Sequence, residues 1–265
     1  MNKNISSEFI YQLFALIGAL VVVHTLYVSV IRPSAAATLE TQLARQAAGE
    51  TIVAERTFAV VVKDYEQEAC FILMLWASAI MAYKARRSLR ERQLLSQPLL
   101  QLEEGSRILP DDARQLSRPL QALSPEQQSY LLPRALLTAL QRFSSTRNIQ
   151  DVSSAISDVC ENESDRLDSE LAMVRYIAWA IPSIGFIGTV RGIGEALGQA
   201  HRAVSGDIVG VTASLGVAFN STFIALVLSI VVMFFMHQLQ LLQERLVLES
   251  HDYCDQNLLR HLKTR

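Results

Sequence analysis

Four long apolar stretches dominate the pattern of hydrophobic and polar positions along the chain. The first, residues 10–31, carries no formally charged residue and is long enough to cross the ~30 Å hydrocarbon layer of a membrane. The other three are residues 69–83, about 176–200 and about 208–236. The pattern therefore predicts an all-α integral membrane protein with four transmembrane helices and a helical cytoplasmic domain between spans two and three.

The lengths of these stretches predict how each one lies in the membrane. The first begins like a signal peptide, but its apolar run exceeds the about 7–15 residues usual there, so we expect a retained anchor. The second is short, and we expect it to gain length from Tyr65 at one end and from extended Lys84 and Arg86 side chains at the other. The fourth exceeds one crossing, which predicts a continuous helix that projects into the cytoplasm.

Basic residues set the predicted orientation. Five of them directly follow the second span, and the positive-inside rule places this end in the cytoplasm. Both termini are then cytoplasmic, and Gly206 is expected in a short external turn between the last two spans. The resulting segments are an anchor (1–31), a periplasmic segment (32–68), a second transmembrane helix (69–84), a cytoplasmic helical domain (85–175), the last two spans (176–236) and a cytoplasmic C-terminal helix (237–265).

The cytoplasmic domain carries clear helix signals. Ser124 and Gln127 stand in a capping-box pattern around a proline, which predicts a helix start. From Asn148 no proline or glycine occurs until Pro182, so one long helix is predicted to run into the third span. The acidic cluster in residues 161–170 is predicted to be a solvated helix face. Leucines in the tail predict an amphipathic helix that packs with its neighbours.

Composition narrows the chemistry. Half of the residues are hydrophobic and the net charge is −2, so the chain lacks the basic surface expected of a nucleic-acid-binding protein. The three cysteines and five histidines are dispersed, and no nucleophile or phosphate-loop motif occurs, so we expect no enzyme activity, no metal and no cofactor. His24 lies within the first span, where it either relays protons or, in the favoured interpretation, hydrogen-bonds a neighbouring helix.

Small residues form one helical face on each of the last two spans. On the third span this stripe includes Ala178, Pro182, Gly185, Thr189, Gly192 and Ala196. On the fourth it includes Ser214, Ala218, Ser221, Ala225 and Ser229, with Asn220 and Thr222 close by. Small residues let membrane helices approach closely, as in the pattern of Gly188 and Gly192, and packing explains part of the stripes. Hydroxyls and a carboxamide at membrane depth also suit either a pore enclosed by several copies or a smooth socket for another helix.

Titratable groups are scarce in these two spans. The fourth contains no carboxylate or histidine, and the third contains only Arg191 and Glu195, one helical turn apart near its outer end. This pair is either a structural ion pair or a site that admits ions. If ions cross here, the titrating acid should therefore belong to another subunit.

Two motifs in these spans resemble the MotA/TolQ/ExbB proton channel family. Residues 182–193 read Pro-Ser-Ile-Gly-Phe-Ile-Gly-Thr-Val-Arg-Gly-Ile, similar to the family's Gly-Thr-Val-x-Gly-Ile signature. Residues 218–226 read Ala-Phe-Asn-Ser-Thr-Phe-Ile-Ala-Leu, similar to its last span. The four-span layout is similar to flagellar stators, whereas the Gly-Thr-Val motif is of the ExbB and TolQ type.

The resemblance implies a pore-forming subunit of a proton-driven or sodium-driven motor in the bacterial inner membrane. Five copies would surround two single-span partners, each with a membrane-embedded aspartate, and lipid would enclose the assembly. Thr189 and Thr222 match the family's pore threonines, with Asn220 and Ser221 beside them, and Pro182 would kink the third span. Packing would involve Gly185, Gly188, Gly192, Ala218 and Ala225, and we expect Gly188→Leu to block assembly. The alternative is a scaffolding membrane protein that organises a transport or envelope complex without conducting ions.

Overall fold

The computed structural model describes residues 2–48, 57–100, 107–205 and 208–263, and nearly all regular structure there is helical. Within those ranges the one β-type pairing is a bridge between Ile108 and Leu262. Four helical runs are long and apolar enough to cross a membrane: Glu8–Gln42, Tyr65–Leu95, Ile149–Gly198 and Val209–His261. The predicted all-α class with four candidate spans is therefore confirmed.

The chain divides into two compact units, which we name by composition. The membrane unit comprises Met1–Met81 and Met173–Met236, and the polar unit comprises Ala82–Ala172 and His237–Arg265.

The first span of the membrane unit continues beyond the boundary predicted at residue 31. Helix α1 (Asn2–Leu26) passes through a π-helical turn (Tyr27–Ile31) into α2 (Arg32–Ala47). In this turn the Arg32 N–H donates to the Tyr27 carbonyl, five residues earlier. A wider turn suits Pro33, whose ring would clash with the carbonyl four residues earlier in a regular helix.

The second span packs antiparallel to the first. After the short α3 (Phe58–Val62), helix α4 (Tyr65–Leu95) begins four residues before the predicted start at residue 69, as its expected extension to Tyr65 requires. The Trp76 indole N–H donates to the Gln12 carbonyl at 2.9 Å, and the Tyr11 hydroxyl donates to the Ala79 carbonyl at 3.2 Å.

The last two spans are α9 (Ala172–Gly198) and α11 (Val209–Asn257), with the short α10 (Ala200–Val204) between them. The predicted continuous fourth helix is confirmed, because α11 runs without a break for 49 residues. The turn expected at Gly206 lies outside the described residues. Helix α8 (Ile149–Glu170) precedes α9 with only Leu171 between them, so the predicted long helix from Asn148 is interrupted by a single turn residue.

The polar unit has its own apolar core. Helix α7 (Leu131–Thr146) packs against α5 (Ala113–Gln121), α6 (Pro125–Gln128) and α8, and α8 also contacts the 3-10 turn Leu259–His261. The predicted capping box at Ser124 and Gln127 is present. Fully or nearly fully buried side chains from several of these elements form the core, among them Leu136, Leu140, Phe143, Val152, Ile156, Cys254 and Leu258.

Two expectations for charged residues of this unit need correction. In the acidic cluster at 161–170, Glu161, Asp165 and Asp168 are exposed as predicted. Glu163 is not solvated, because its side chain is only 3% exposed and binds Arg134 at 2.6 Å and Arg166 at 2.8 Å. Lys84 is likewise buried and binds Glu170 at 2.9 Å instead of extending outward. Buried charges require partners of opposite sign, and these helices provide them.

Candidate functional site

The small residues of α9 and α11 pack against each other within one chain. A Cβ atom added to Gly188 would lie 2.5 Å from Ser221 Cβ, and one added to Gly192 would lie 2.7 Å from the Ala218 nitrogen. Gly185 makes an equally close approach to Ala225. The structure thus brings together the residues predicted to pack, but the helix that meets Gly188 belongs to the same chain. The expected block of assembly by Gly188→Leu stays a prediction, and the contact that a leucine would disturb first is this one within the chain.

The two predicted pore threonines meet at this helix contact. The hydroxyls of Thr189 and Thr222 are hydrogen-bonded to each other. Thr189 Oγ1 also donates to the Ala218 carbonyl at 3.1 Å, and Thr222 Oγ1 lies 3.3 Å from the Gly185 carbonyl. Both side chains remain half-buried. Two motifs that are 33 residues apart along the chain therefore form one pair of hydroxyls between the last two spans.

This pair of threonines lies within a longer segment that matches a known protein family. Residues 127–251 match the family model of the MotA/TolQ/ExbB proton channel family. This segment is a MotA/TolQ/ExbB proton channel domain. Comparison of the chain with curated proteins and with solved structures gives no match. The match of this segment implies a proton channel-type function in an energy-coupled complex, and proteins of the family are channel and transducer proteins.

The MotA/TolQ/ExbB domain extends beyond the two sequence motifs. Besides α9, α10 and α11 up to residue 251, it contains α7 and α8 of the polar unit. No residue-level resemblance was predicted for those two helices, because their sequences carry amphipathic patterns that many helices share.

The two other predicted pore residues of the family domain have different surroundings. Ser221 is only 1% exposed, and its hydroxyl oxygen accepts a hydrogen bond from Gln67 Nε2 at 3.4 Å. Asn220 is half-buried and makes no side-chain hydrogen bond within the described part of the chain. Among the four predicted pore residues, all of them described, Thr189 and Thr222 are the pair whose side chains are hydrogen-bonded to each other.

Pro182 interrupts the hydrogen-bond ladder of α9 one turn before Gly185. A proline has no N–H, so the carbonyl four residues earlier, that of Ala178, receives no donor from its own helix. The Ser229 hydroxyl of α11 donates to this carbonyl at 3.0 Å and is buried. Ser229, one of the polar residues of the fourth span, therefore supplies the hydrogen bond that Pro182 cannot donate.

A charged cluster adjoins the beginning of α4. Arg191 binds both oxygens of Glu66, at 2.7 and 2.9 Å, and also contacts Glu195 at 3.1 Å. The predicted ion pair of Arg191 and Glu195 is thus part of a group of three charged residues that also includes Glu66. Fork-shaped contacts between a guanidinium and a carboxylate are among the stronger polar interactions in proteins.

Glu68 forms a second group in this cluster. Its side chain is 7% exposed, its Oε1 lies 2.7 Å from His24 Nδ1, and its Oε2 accepts a hydrogen bond from Arg32. His24 therefore bonds a neighbouring helix, as the favoured interpretation expected. Sequence reasoning missed Glu66 and Glu68 because it placed both in the external segment. The sequence did offer one sign of their position. Both residues directly precede the second apolar stretch, which is too short to cross the membrane unless the helix begins earlier.

Proposed function

We propose that the chain is the pore-forming subunit of an inner-membrane motor that couples proton or sodium flow to mechanical work. Five copies surround two single-span partners in a bacterial inner membrane, with both termini of each copy in the cytoplasm. Each partner supplies an aspartate within the membrane. The observation that carries the proposal is the half-buried hydroxyl pair of Thr189 and Thr222, set between two spans of a proton channel family domain.

The hydrogen-bond inventory of this pair suits ion transfer. Two hydroxyls have two hydrogens between them, and the acceptors include each other and the carbonyls of Gly185 and Ala218. Both hydrogens are therefore used within the protein, whereas lone pairs remain on the oxygens. Such oxygens can accept a hydrogen bond from a protonated carboxyl group or ligate a bare cation.

The partner's acid is needed because α11 has none at this depth. Between Val209 and Met236 the sequence contains no acidic, basic or histidine residue. A fixed pair of hydroxyls can stabilise an ion that passes, but it cannot carry one along the membrane. An aspartate on a second protein that moves past the threonines supplies the missing step.

The alternative function is a scaffold that organises a transport or envelope complex without conducting ions. It is favoured by the same hydroxyls, because hydrogen bonds from Thr189 and Thr222 to backbone carbonyls also join α9 to α11. The two functions differ in what happens when a hydroxyl is removed at constant volume. A scaffold loses stability only, whereas a pore loses flux while it stays assembled.

Thr222→Val and Thr189→Val test the proposal in the purified complex, reconstituted into vesicles with everything that co-purifies. Flux of H⁺ and of Na⁺ is measured under an imposed gradient, and complex mass is measured on the same sample. We expect each variant to assemble normally and to lower flux about ten-fold or more, because a hydrogen bond to a charged group is lost.

Thr212→Val provides the matched control. Thr212 is an exposed residue of α11 whose hydroxyl donates only to carbonyls of its own helix, those of Ile208 and Val209. Its replacement should leave flux unchanged. Normal flux in Thr222→Val, or an equal loss in Thr212→Val, contradicts the pore assignment and favours the scaffold.

A further inference from the structure

Three buried oxygen atoms of the membrane unit have no hydrogen-bond partner within the described residues: Tyr27 OH, Asp64 Oδ2 and Gln67 Oε1. The Tyr27 side chain is 1% exposed and Gln67 is fully buried. Buried polar atoms in folded proteins almost always have a partner, either protein or ordered water. Their shared lack of a protein partner indicates that something else binds there.

Several contacts place the three residues beside one another. Asp64 directly precedes α4, and Gln67 lies three positions later in the first turn of that helix. Phe71, one turn further along, packs on the Tyr27 ring with 6.4 Å between ring centroids. In addition, α3, which ends two residues before Asp64, contacts the π-helical turn that holds Tyr27.

The chemical roles of the three atoms are fixed by their other bonds. The Gln67 amide nitrogen donates to the Val61 carbonyl at 3.2 Å, and only an N–H can do so; its oxygen is therefore left as an acceptor. Asp64 binds Lys63 through Oδ1 at 3.2 Å, so Oδ2 is a second acceptor. The Tyr27 hydroxyl can donate.

We propose that Tyr27, Asp64 and Gln67 enclose a binding site for an ordered water molecule. One water can donate hydrogen bonds to Asp64 Oδ2 and Gln67 Oε1 while it accepts one from Tyr27. Three hydrogen bonds is the usual number for a buried water. The π-helical turn that holds Tyr27 accommodates Pro33, and such turns are also frequent at functional sites.

Charge favours water over a metal ion. The Asp64 carboxylate is already paired with Lys63, and the Glu68 carboxylate nearby is paired with Arg32 and faces His24. A further cation would lie beside two basic side chains without an unpaired acid to offset it. A neutral molecule that both donates and accepts satisfies all three atoms without this cost.

The site adjoins the proposed ion path through Gln67. Its amide nitrogen, besides binding Val61, donates to Ser221 Oγ, and Ser221 immediately precedes Thr222. The water would thus hold Gln67 in the orientation that contacts Ser221 and bring hydration within one side chain of the threonine pair. This consequence rests on the proposed function, whereas the water site itself does not.

Thermal unfolding of the purified full chain, with whatever co-purifies, tests the site independently of transport. The test is a double-mutant cycle made of Tyr27→Phe, Gln67→Leu and the variant with both changes. The control is Tyr65→Phe, because Tyr65 is exposed. We expect Tyr27→Phe to lower the midpoint by about 2–4 °C because it removes a bond to the water. In the Gln67→Leu background the same change should have less than half that effect.

The opposite results overturn the proposal. If the Tyr27 hydroxyl has no partner, Tyr27→Phe leaves the unfolding midpoint unchanged or raises it. The control, Tyr65→Phe, should leave the midpoint unchanged in either case. Equal effects of Tyr27→Phe in both backgrounds contradict a shared water. A midpoint that rises with added Na⁺ in the wild type, and not in Tyr27→Phe or Gln67→Leu, shows a cation site instead of a water site. Loss of flux in the threonine variants bears on none of these outcomes.

Discussion

Pro182 and Ser229 show how a single missing donor is compensated between two membrane helices. The carbonyl of Ala178 loses its helical partner to the proline, and in a membrane no bulk water can replace it. The Ser229 hydroxyl supplies the bond at 3.0 Å. One polar residue of the fourth span is therefore explained by the backbone of the third, without reference to ions.

A double-mutant cycle tests this relationship. Ser229→Ala should lower the unfolding midpoint of the purified protein by about 2–4 °C, because the buried Ala178 carbonyl loses the donor that replaces the missing proline N–H. In a Pro182→Ala background the new N–H can satisfy Ala178, so Ser229→Ala should have little further effect. Ser183→Ala, which removes a hydroxyl bonded only within α9, is the control. Equal losses in both backgrounds would refute the compensation.

The two threonines that the sequence motifs single out also contact each other in the structure. Thr189 and Thr222 were predicted as pore residues by resemblance, and the structure brings their hydroxyls together; their role in ion transfer stays a prediction. The contact between Glu66 and Arg191 could not be predicted, because 125 residues separate them and no local pattern links them. Pairing of charges across such a distance depends on the tertiary fold.

At the scale of elements, the contact of α9 with α11 depends on residues without side-chain bulk. Gly185, Gly188 and Gly192 follow one face of α9, and each faces backbone or small side chains of α11. Glu66 also approaches Gly188, since a Cβ there would lie 3.2 Å from its Cγ atom. The glycine therefore makes room both for the neighbouring span and for the partner of Arg191.

Substitution of alanine for these glycines should separate contact positions from open ones. Gly188→Ala places a methyl group 2.5 Å from Ser221 Cβ, and we expect the unfolding midpoint to fall by about 5 °C or more. Gly194→Ala meets nothing within 4 Å and should leave the midpoint unchanged or slightly raised. Circular dichroism of both purified proteins gives the comparison. Similar midpoints for the two variants would contradict the close approach.

The sequence predicted which segments are helices better than it predicted the residues at which those helices begin and end. All four apolar stretches are helical, but the first continues past residue 31 and α4 begins before residue 69. The predicted limit at residue 31 is where the apolar run ends, whereas the helix itself continues because a π-helical turn accommodates Pro33. The acidic stretch of α8 looked solvated because period and composition cannot show that Arg134, on another helix, binds Glu163.

At the scale of the whole molecule, the chain provides hydroxyls for an ion but lacks an acid on its fourth span. The family domain at residues 127–251 contains the threonine pair and belongs to a family of proton channels. Under the proposed function, the titrating aspartate belongs to a single-span partner, and the threonines belong to the ring of copies that surrounds it.

The native mass of the complex, extracted gently from its own membrane with whatever co-purifies, tests this account most directly. We predict five copies of the chain with two small single-span proteins, each with an aspartate within its apolar segment. The same composition in the Thr222→Val complex would show that its loss of flux is not a loss of assembly. A monomer or dimer without such a partner, under several mild extraction conditions, would contradict the account and leave Thr189 and Thr222 as packing residues.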